Sequence, residues 1–300
     1  MAEPGWMDVA GPAGDLKALT WGPPDAPIAL CLHGFPDTAY GWRKFAPRLA
    51  ESGWRVIAPF MRGYAPSSIP TDGSYHGGAI MHDALRVREA AGGTDHDVII
   101  GHDWGALAAT GLAAMPNSPF ARAVIMSLPV SAGFRGQVTE RARLVRQLPR
   151  QLLRSWYILY FQLPLLPERS ASWVLPLLWR RWSPGYRGAE EDLRHVDAAI
   201  GTPESWRAAL GTYRATIRNT RPPLRYAELN RLWTEPPLLP SLYLHGRDDG
   251  CASPAFAHWT EKVLPAGSEV AIVEHAGHFL QLEQPDKVAN LVLTFIGSPG

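Results

Sequence analysis

The chain has 300 residues, 46% of them hydrophobic and 19% charged, with a formal net charge of +1. That composition suffices for a sizeable core and gives no electrostatic footing for a nucleic acid partner. Two cysteines, Cys31 and Cys251, are too few for a disulfide framework, residues 1–15 lack the features of a secretion signal, and no apolar run reaches the roughly 18 to 20 residues of a spanning helix, so the expected setting is the cytoplasm without stable membrane insertion.

Apolar, β-branched runs at 28–34, 55–60, 97–103 and 122–129 read as strands. They are continuous rather than alternating, as strands covered on both faces are. Between them, 38–53 and 76–92 have helical spacing and glycine-rich ends. Strand, helix, strand in repetition predicts a mainly parallel sheet flanked by helices. From 131 to 235 no comparable strand occurs. Short helices punctuated by proline take over, rich in Arg, Trp and Leu and without lysine. Strands resume at 241–246 and 269–275, and a helix covers 286–297. The expected class is α/β: a core at 1–130 and 236–300, with an inserted all-helical cap at 131–235. Such a cap would lie over the carboxyl edge of the sheet, where open α/β sheets bind ligands.

The stretch IIGHDWGAL (99–107) runs a strand through a small-residue turn into a helix, with Asp103 at the apex. Aspartate is a favoured helix N-cap, and the residues after it are plainly helical. A cap alone does not need small residues two positions away on both sides. A tight turn that thrusts one side chain over the sheet edge does, and Gly101 and Gly105 supply them. Asp103 is therefore a candidate nucleophile. His278, after the last strand and before the last helix, is the candidate base. His275, three residues earlier, raises a His-x-x-His metal pair, but no further ligands at a recognised spacing complete it, so neither metal nor cofactor is expected. LHGRDDG (244–250) offers Asp248 and Asp249 in a stretch that also makes a good turn.

HGFPD (33–37), RGYAPSS (62–68), GHDWGA (101–106) and AGHFLQLEQP (276–285), in that order, resemble the α/β-hydrolase superfamily, and within it the epoxide hydrolase branch related to haloalkane dehalogenases. The resemblance implies the α/β-hydrolase fold. It also implies an oxyanion hole from the backbone N–H groups of Phe35 and Trp104. The family's Gly-x-x-Asp register selects Asp249 as the carboxylate that orients His278, in the family's chain order of nucleophile, acid, histidine. Two cap tyrosines are implied as proton donors. SWYILYFQLP (155–164) maps one onto Tyr157, with Tyr160 one helical turn on as the fallback, and GTYRATIRN (211–219) places Tyr213. Phe35, Trp104 and Phe161 would line the substrate pocket.

The chemistry explains a carboxylate at the apex. A serine attacking an sp³ carbon would leave an ether that water cannot cleave. A carboxylate leaves an ester, which activated water can hydrolyse at the enzyme's own carbonyl. The implied function is conversion of a small apolar epoxide and water to a vicinal diol. A haloalkane or haloacid dehalogenase would use the same Asp103, His278 and Asp249. Against it, Phe35 stands where haloalkane dehalogenases often carry Asn, and Trp104 where fluoroacetate dehalogenases usually carry Arg. A catalytically idle binding protein would not need a His–Asp pair that activates water. A homodimer is compatible with this reading. PLLWRRW (176–182) reads as a helix with solvated arginines in preference to a membrane contact, and most of the cap tryptophans as packing.

Overall fold

The structure is a computed structural model describing residues 3–135 and 141–299. Residues 136–140, within the expected cap, lie outside the described residues. Eight strands form one sheet: β1 (Gly5–Val9), β2 (Leu16–Trp21), β3 (Ile28–Leu32), β4 (Arg55–Pro59), β5 (Val98–His102), β6 (Arg122–Met126), β7 (Ser241–Gly246) and β8 (Glu269–Val273). Their order across the sheet is β1-β2-β4-β3-β5-β6-β7-β8. β2 is antiparallel to both neighbours, and every other pairing is parallel. All residues of β3, β5 and β7 are buried, which is why their sequences are unbroken apolar runs.

β1 and β2 were not anticipated. β1 is an edge strand with largely exposed side chains, so it carries no apolar run to find. β2 interleaves Lys17 and Thr20 among its buried residues.

Helices α1 (Ala46–Glu51), α2 (Gly77–Ala90) and α3 (Trp104–Ala113) connect the first strands. Six more lie between β6 and β7: α4 (Arg141–Arg154), α5 (Trp156–Tyr160), α6 (Ala171–Trp182), α7 (Ala189–Ile200), α8 (Pro203–Ile217) and α9 (Leu224–Leu232). The chain continues with α10 (Ala257–Glu261), α11 (Leu280–Glu283) and α12 (Pro285–Ile296). α3 is almost wholly buried because alanine and glycine cover its surface. A Cβ on Gly105 would lie 2.1 Å from the Leu32 carbonyl oxygen, so helix and strand approach as only glycine permits.

Tryptophans fasten α6 to the core. Trp179 Nε1 donates to the Pro36 carbonyl (2.9 Å) and its ring stacks on Phe279 at 3.8 Å. The Trp182 carbonyl accepts from the N–H groups of His278 and Gly250, both at 3.0 Å. Both indoles are fully buried, whereas Arg180 and Arg181 are exposed. On the rim, Arg43 of the core pairs with Glu191 of α7 at 3.1 Å, and with Asp192. Among the described residues no helix is long and apolar enough to cross a membrane.

Candidate active site

Asp103 occupies the turn between β5 and α3 with φ 53° and ψ −119°. For a residue with a Cβ this left-handed backbone costs about 1–3 kcal/mol, held by the surrounding structure. Although Asp103 precedes the helix, its side chain caps none of the helix N–H groups. It points instead at the loop after β3, where the Phe35 N–H donates to Asp103 Oδ1 at 2.8 Å. A Cβ on Gly101 would meet the Gly105 carbonyl oxygen at 2.1 Å, and one on Gly34 would meet Asp103 Oδ1 at 2.4 Å and the Trp104 nitrogen at 2.7 Å. Three glycines therefore allow strand, helix and loop to converge on one carboxylate. His33 braces the loop: its Nε2 accepts from the Met61 N–H at 3.0 Å. Burial lowers its pKa to about 4, keeping the ring neutral for that role.

His278, in the loop after β8, faces two carboxylates. Its Nδ1 lies 3.0 Å from Asp249 Oδ2, and its Nε2 lies 3.6 Å from Asp103 Oδ2. Burial alone would lower its pKa, but Asp249 and Asp103 override burial and hold it up at about 10. Burial would likewise raise Asp249, yet His278 and His245 keep it well below the usual carboxylate range. Asp249 is fixed in the loop after β7 by the N–H groups of Cys251 (2.6 Å) and Ala252 (3.0 Å) at its Oδ1, while His245 Nε2 stands 3.1 Å from its Oδ2. Of the two candidate aspartates the structure brings Asp249 to the histidine, whereas Asp248 is exposed. His275 is also exposed. The His278 backbone is clamped as well, its carbonyl accepting from His102 Nε2 (2.8 Å) and Ser127 Oγ (2.7 Å).

Above this group α5 brings Tyr157 and α8 brings Tyr213, each nearly inaccessible. α8 starts on a well-formed cap, with the Thr202 side chain accepting from the Ser205 N–H and Pro203 in the first turn. The two phenol rings meet edge-on at 5.7 Å, and Tyr213 packs against Trp104 (5.0 Å) and Phe35 (5.1 Å). Burial pushes both phenols well above their ordinary pKa, so they stay protonated as donors. Tyr160 is different: partly exposed, its hydroxyl donates to the Leu166 carbonyl at 3.3 Å. Phe161 completes the wall, 5.5 Å from Phe35 and 5.2 Å from Tyr213.

Two neighbours escaped the sequence reading. Cys251 Sγ lies 3.5 Å from the Tyr157 hydroxyl; its position two residues after Asp249 was the available signal. Trp182 packs against both His278 (4.9 Å) and Tyr157 (5.0 Å), and nothing in its local sequence distinguishes it from the other cap tryptophans.

Among the described residues, Asp103, Cys251 and His278 place donor atoms within 4.8 Å of one another. They suit an ion poorly. The carboxylates favour a proton on His278, and burial, reinforced by Asp249 and Asp103, favours one on the Cys251 thiol, whereas metal ligands must be deprotonated. The arrangement can instead bring together a carboxylate oxygen free to react, an N–H beside its partner oxygen, a paired imidazole and two protonated phenols.

A family model described as the alpha/beta hydrolase fold matches residues 27–285. Among curated proteins the chain is similar to the AB hydrolase superfamily protein YfhM of Bacillus subtilis, 29% identical over 94% of each chain. It is also similar to Epoxide hydrolase A of Mycobacterium tuberculosis, 28% identical over 94% of each chain. Among solved structures, one of the epoxide hydrolases of the alpha/beta hydrolase superfamily from hot-environment metagenomes is 25% identical, covers 99% of each chain and superposes with a TM-score of 0.78.

Proposed function

The chain belongs to the α/β-hydrolase fold family, and from that premise we propose that it is an enzyme converting an apolar epoxide and water to a vicinal diol through an ester on Asp103. The observation that carries this reading is the convergence on one carboxylate of the Phe35 N–H, the His278–Asp249 pair and two buried, protonated tyrosines. Relatives named epoxide hydrolases, over nearly the whole chain, support it. The division into a core at 1–130 and 236–300 and a cap at 131–235 is part of the proposal, since the tyrosines come from the inserted helices. Both cysteines are free and buried, which suits the cytoplasm.

In the first step Asp103 Oδ2 attacks a ring carbon. The carbon–oxygen bond breaks, its electron pair stays on the ring oxygen, and Tyr157 and Tyr213 bind that oxygen and supply a proton. The ester has no charge, so His278 loses one of the two carboxylates that held its proton. That proton returns to the phenolate, leaving a neutral imidazole oriented by Asp249. In the second step His278 takes a proton from water, and hydroxide adds to the Asp103 carbonyl carbon. The developing negative charge on Oδ1 falls where the Phe35 N–H, 2.8 Å away, already points, with the Trp104 N–H as second donor. Collapse expels the diol oxygen, which takes the proton from His278, and the acid left on Asp103 then passes its own proton to His278, restoring the carboxylate and the protonated imidazole.

Purified protein should be assayed with styrene oxide and a longer aliphatic epoxide, and in parallel with a bromoalkane and a haloacetate, following diol and halide. Diol formation that disappears in Asp103→Ala is the expected result. Halide without diol would reassign the site to a dehalogenase, and saturable binding without product to a ligand-binding protein.

A further inference from the structure

We propose that the outward face of α4 and α5 docks on the surface of an anionic lipid bilayer. Leu152 and Leu153 are 66% and 76% exposed, and Leu148, Leu159, Leu165 and Leu166 are exposed with them. A single surface leucine is ordinary; a group confined to one stretch of chain marks an interaction face. Contacts tie the stretch together: Gln151 bonds to Ser155 at the α4–α5 junction, and the Tyr160 hydroxyl reaches the Leu166 carbonyl.

Charge selects the occupant. From 141 to 167 the sequence has arginines and no Asp, Glu or Lys. Arg146 and Arg150 are exposed among the leucines on α4. Glu168, the first acid beyond, is already paired with Arg214 at 2.7 Å. A second copy on this face would bring arginines against arginines with no carboxylate between them. A nucleic acid would take the arginines and leave the leucines in water. A bilayer with acidic headgroups satisfies both, the arginines meeting phosphates while the leucines enter the acyl boundary. The other side of α5 carries Tyr157, so the docked face is one helix thick from the active site.

The test is co-sedimentation of the full chain with vesicles of phosphatidylcholine, with and without phosphatidylglycerol. This readout does not depend on turnover, so it stands or falls separately from the reaction proposed above. The wild-type protein should bind the anionic vesicles and release as salt is raised. Arg146→Gln with Arg150→Gln should weaken binding about 30-fold, at about 1 kcal/mol for each arginine near the surface. Leu152→Glu with Leu153→Glu should abolish it. Both pairs are exposed, so thermal melting and turnover of a water-soluble substrate should be unchanged. Failure to bind either vesicle, equal binding to both, or wild-type binding by the variants would overturn the proposal. A dimer that dissociates in the leucine variant without vesicle binding would assign the face to a second copy.

Discussion

His278 Nε2 stands 3.6 Å from Asp103 Oδ2, so the charge on the imidazole depends on the state of the carboxylate it faces. Asp103→Asn imitates the neutral ester and should lower the His278 pKa from about 10 by a unit or more, as read from the imidazole nitrogens by NMR. Stability must follow. A raised histidine pKa contributes stability that is complete below the unfolded value of about 6.5 and is lost as pH rises through the folded pKa. In the Asn variant that loss should therefore be smaller and complete at lower pH than in the wild type. An unchanged titration would separate the two residues and remove the account of how the base is released.

Substitutions in the reacting pair should divide the reaction into its halves. Asp103→Ala should show no turnover. His278→Gln should still form the ester and then stall, with the intact mass raised by that of one epoxide molecule. Rapid diol release by the His278 variant would mean that some other group activates the water.

For the tyrosines the structure distinguishes neighbours that the sequence leaves close. Tyr157→Phe or Tyr213→Phe should slow ester formation tenfold or more, and both together should approach the ~10²–10⁴-fold associated with losing a general acid. Tyr160→Phe should leave the rate alone, because its hydroxyl is turned to Leu166. Stopped-flow measurement of tryptophan fluorescence would follow this step directly. Wild-type rates in the double variant would reject the cap assignment.

Asp37, buried beneath α11, gives a stability prediction of opposite origin. Burial, then the Asp192 charge, raises its pKa to about 8. The folded state therefore holds a proton that the unfolded state releases near pH 4, and this contribution to stability falls as pH rises from about 4 to 8. Gln281 Nε2 lies 3.3 Å from Asp37 Oδ2, and Gln281 Oε1 has no hydrogen-bond partner. With its amide turned over, Gln281 could accept from the protonated acid or from an Asn side chain. Asp37→Asn should thus flatten the decline in denaturation midpoint between pH 5 and pH 9; an equally steep decline would locate the titration elsewhere.

The legible parts of the sequence were those where one physical demand leaves one pattern. Strands covered on both faces must be apolar throughout, so β3 to β7 stood out, and half-buried edge strand β8 was found by its apolar, β-branched run, whereas edge strand β1 had no such demand and β2 an interrupted one. Gly101 and Gly105 announced the turn at Asp103 because carbonyl oxygens lie about 2 Å from where their Cβ atoms would be. The helical repeat could not separate Tyr157 from Tyr160, since both fall on one short helix; the packing of α5 against Phe161 and Trp182 decides which is buried. Cys251 was read only for redox compartment. Its place beside the Tyr157 hydroxyl depends on a contact between residues 94 positions apart, which composition does not encode.

Asp103, Tyr157, Tyr213 and His278 are each at most 4% exposed, and from this a kinetic property follows. If Asp103 reacts as proposed, substrate must reach groups that the resting arrangement shields, so each cycle should need a movement of the helices that carry Tyr157 and Tyr213. Such movements are commonly microsecond-to-millisecond events. When they are slower than bond making, the tempo of turnover belongs to those helices, and solvent friction rather than substrate reactivity sets the ceiling on throughput.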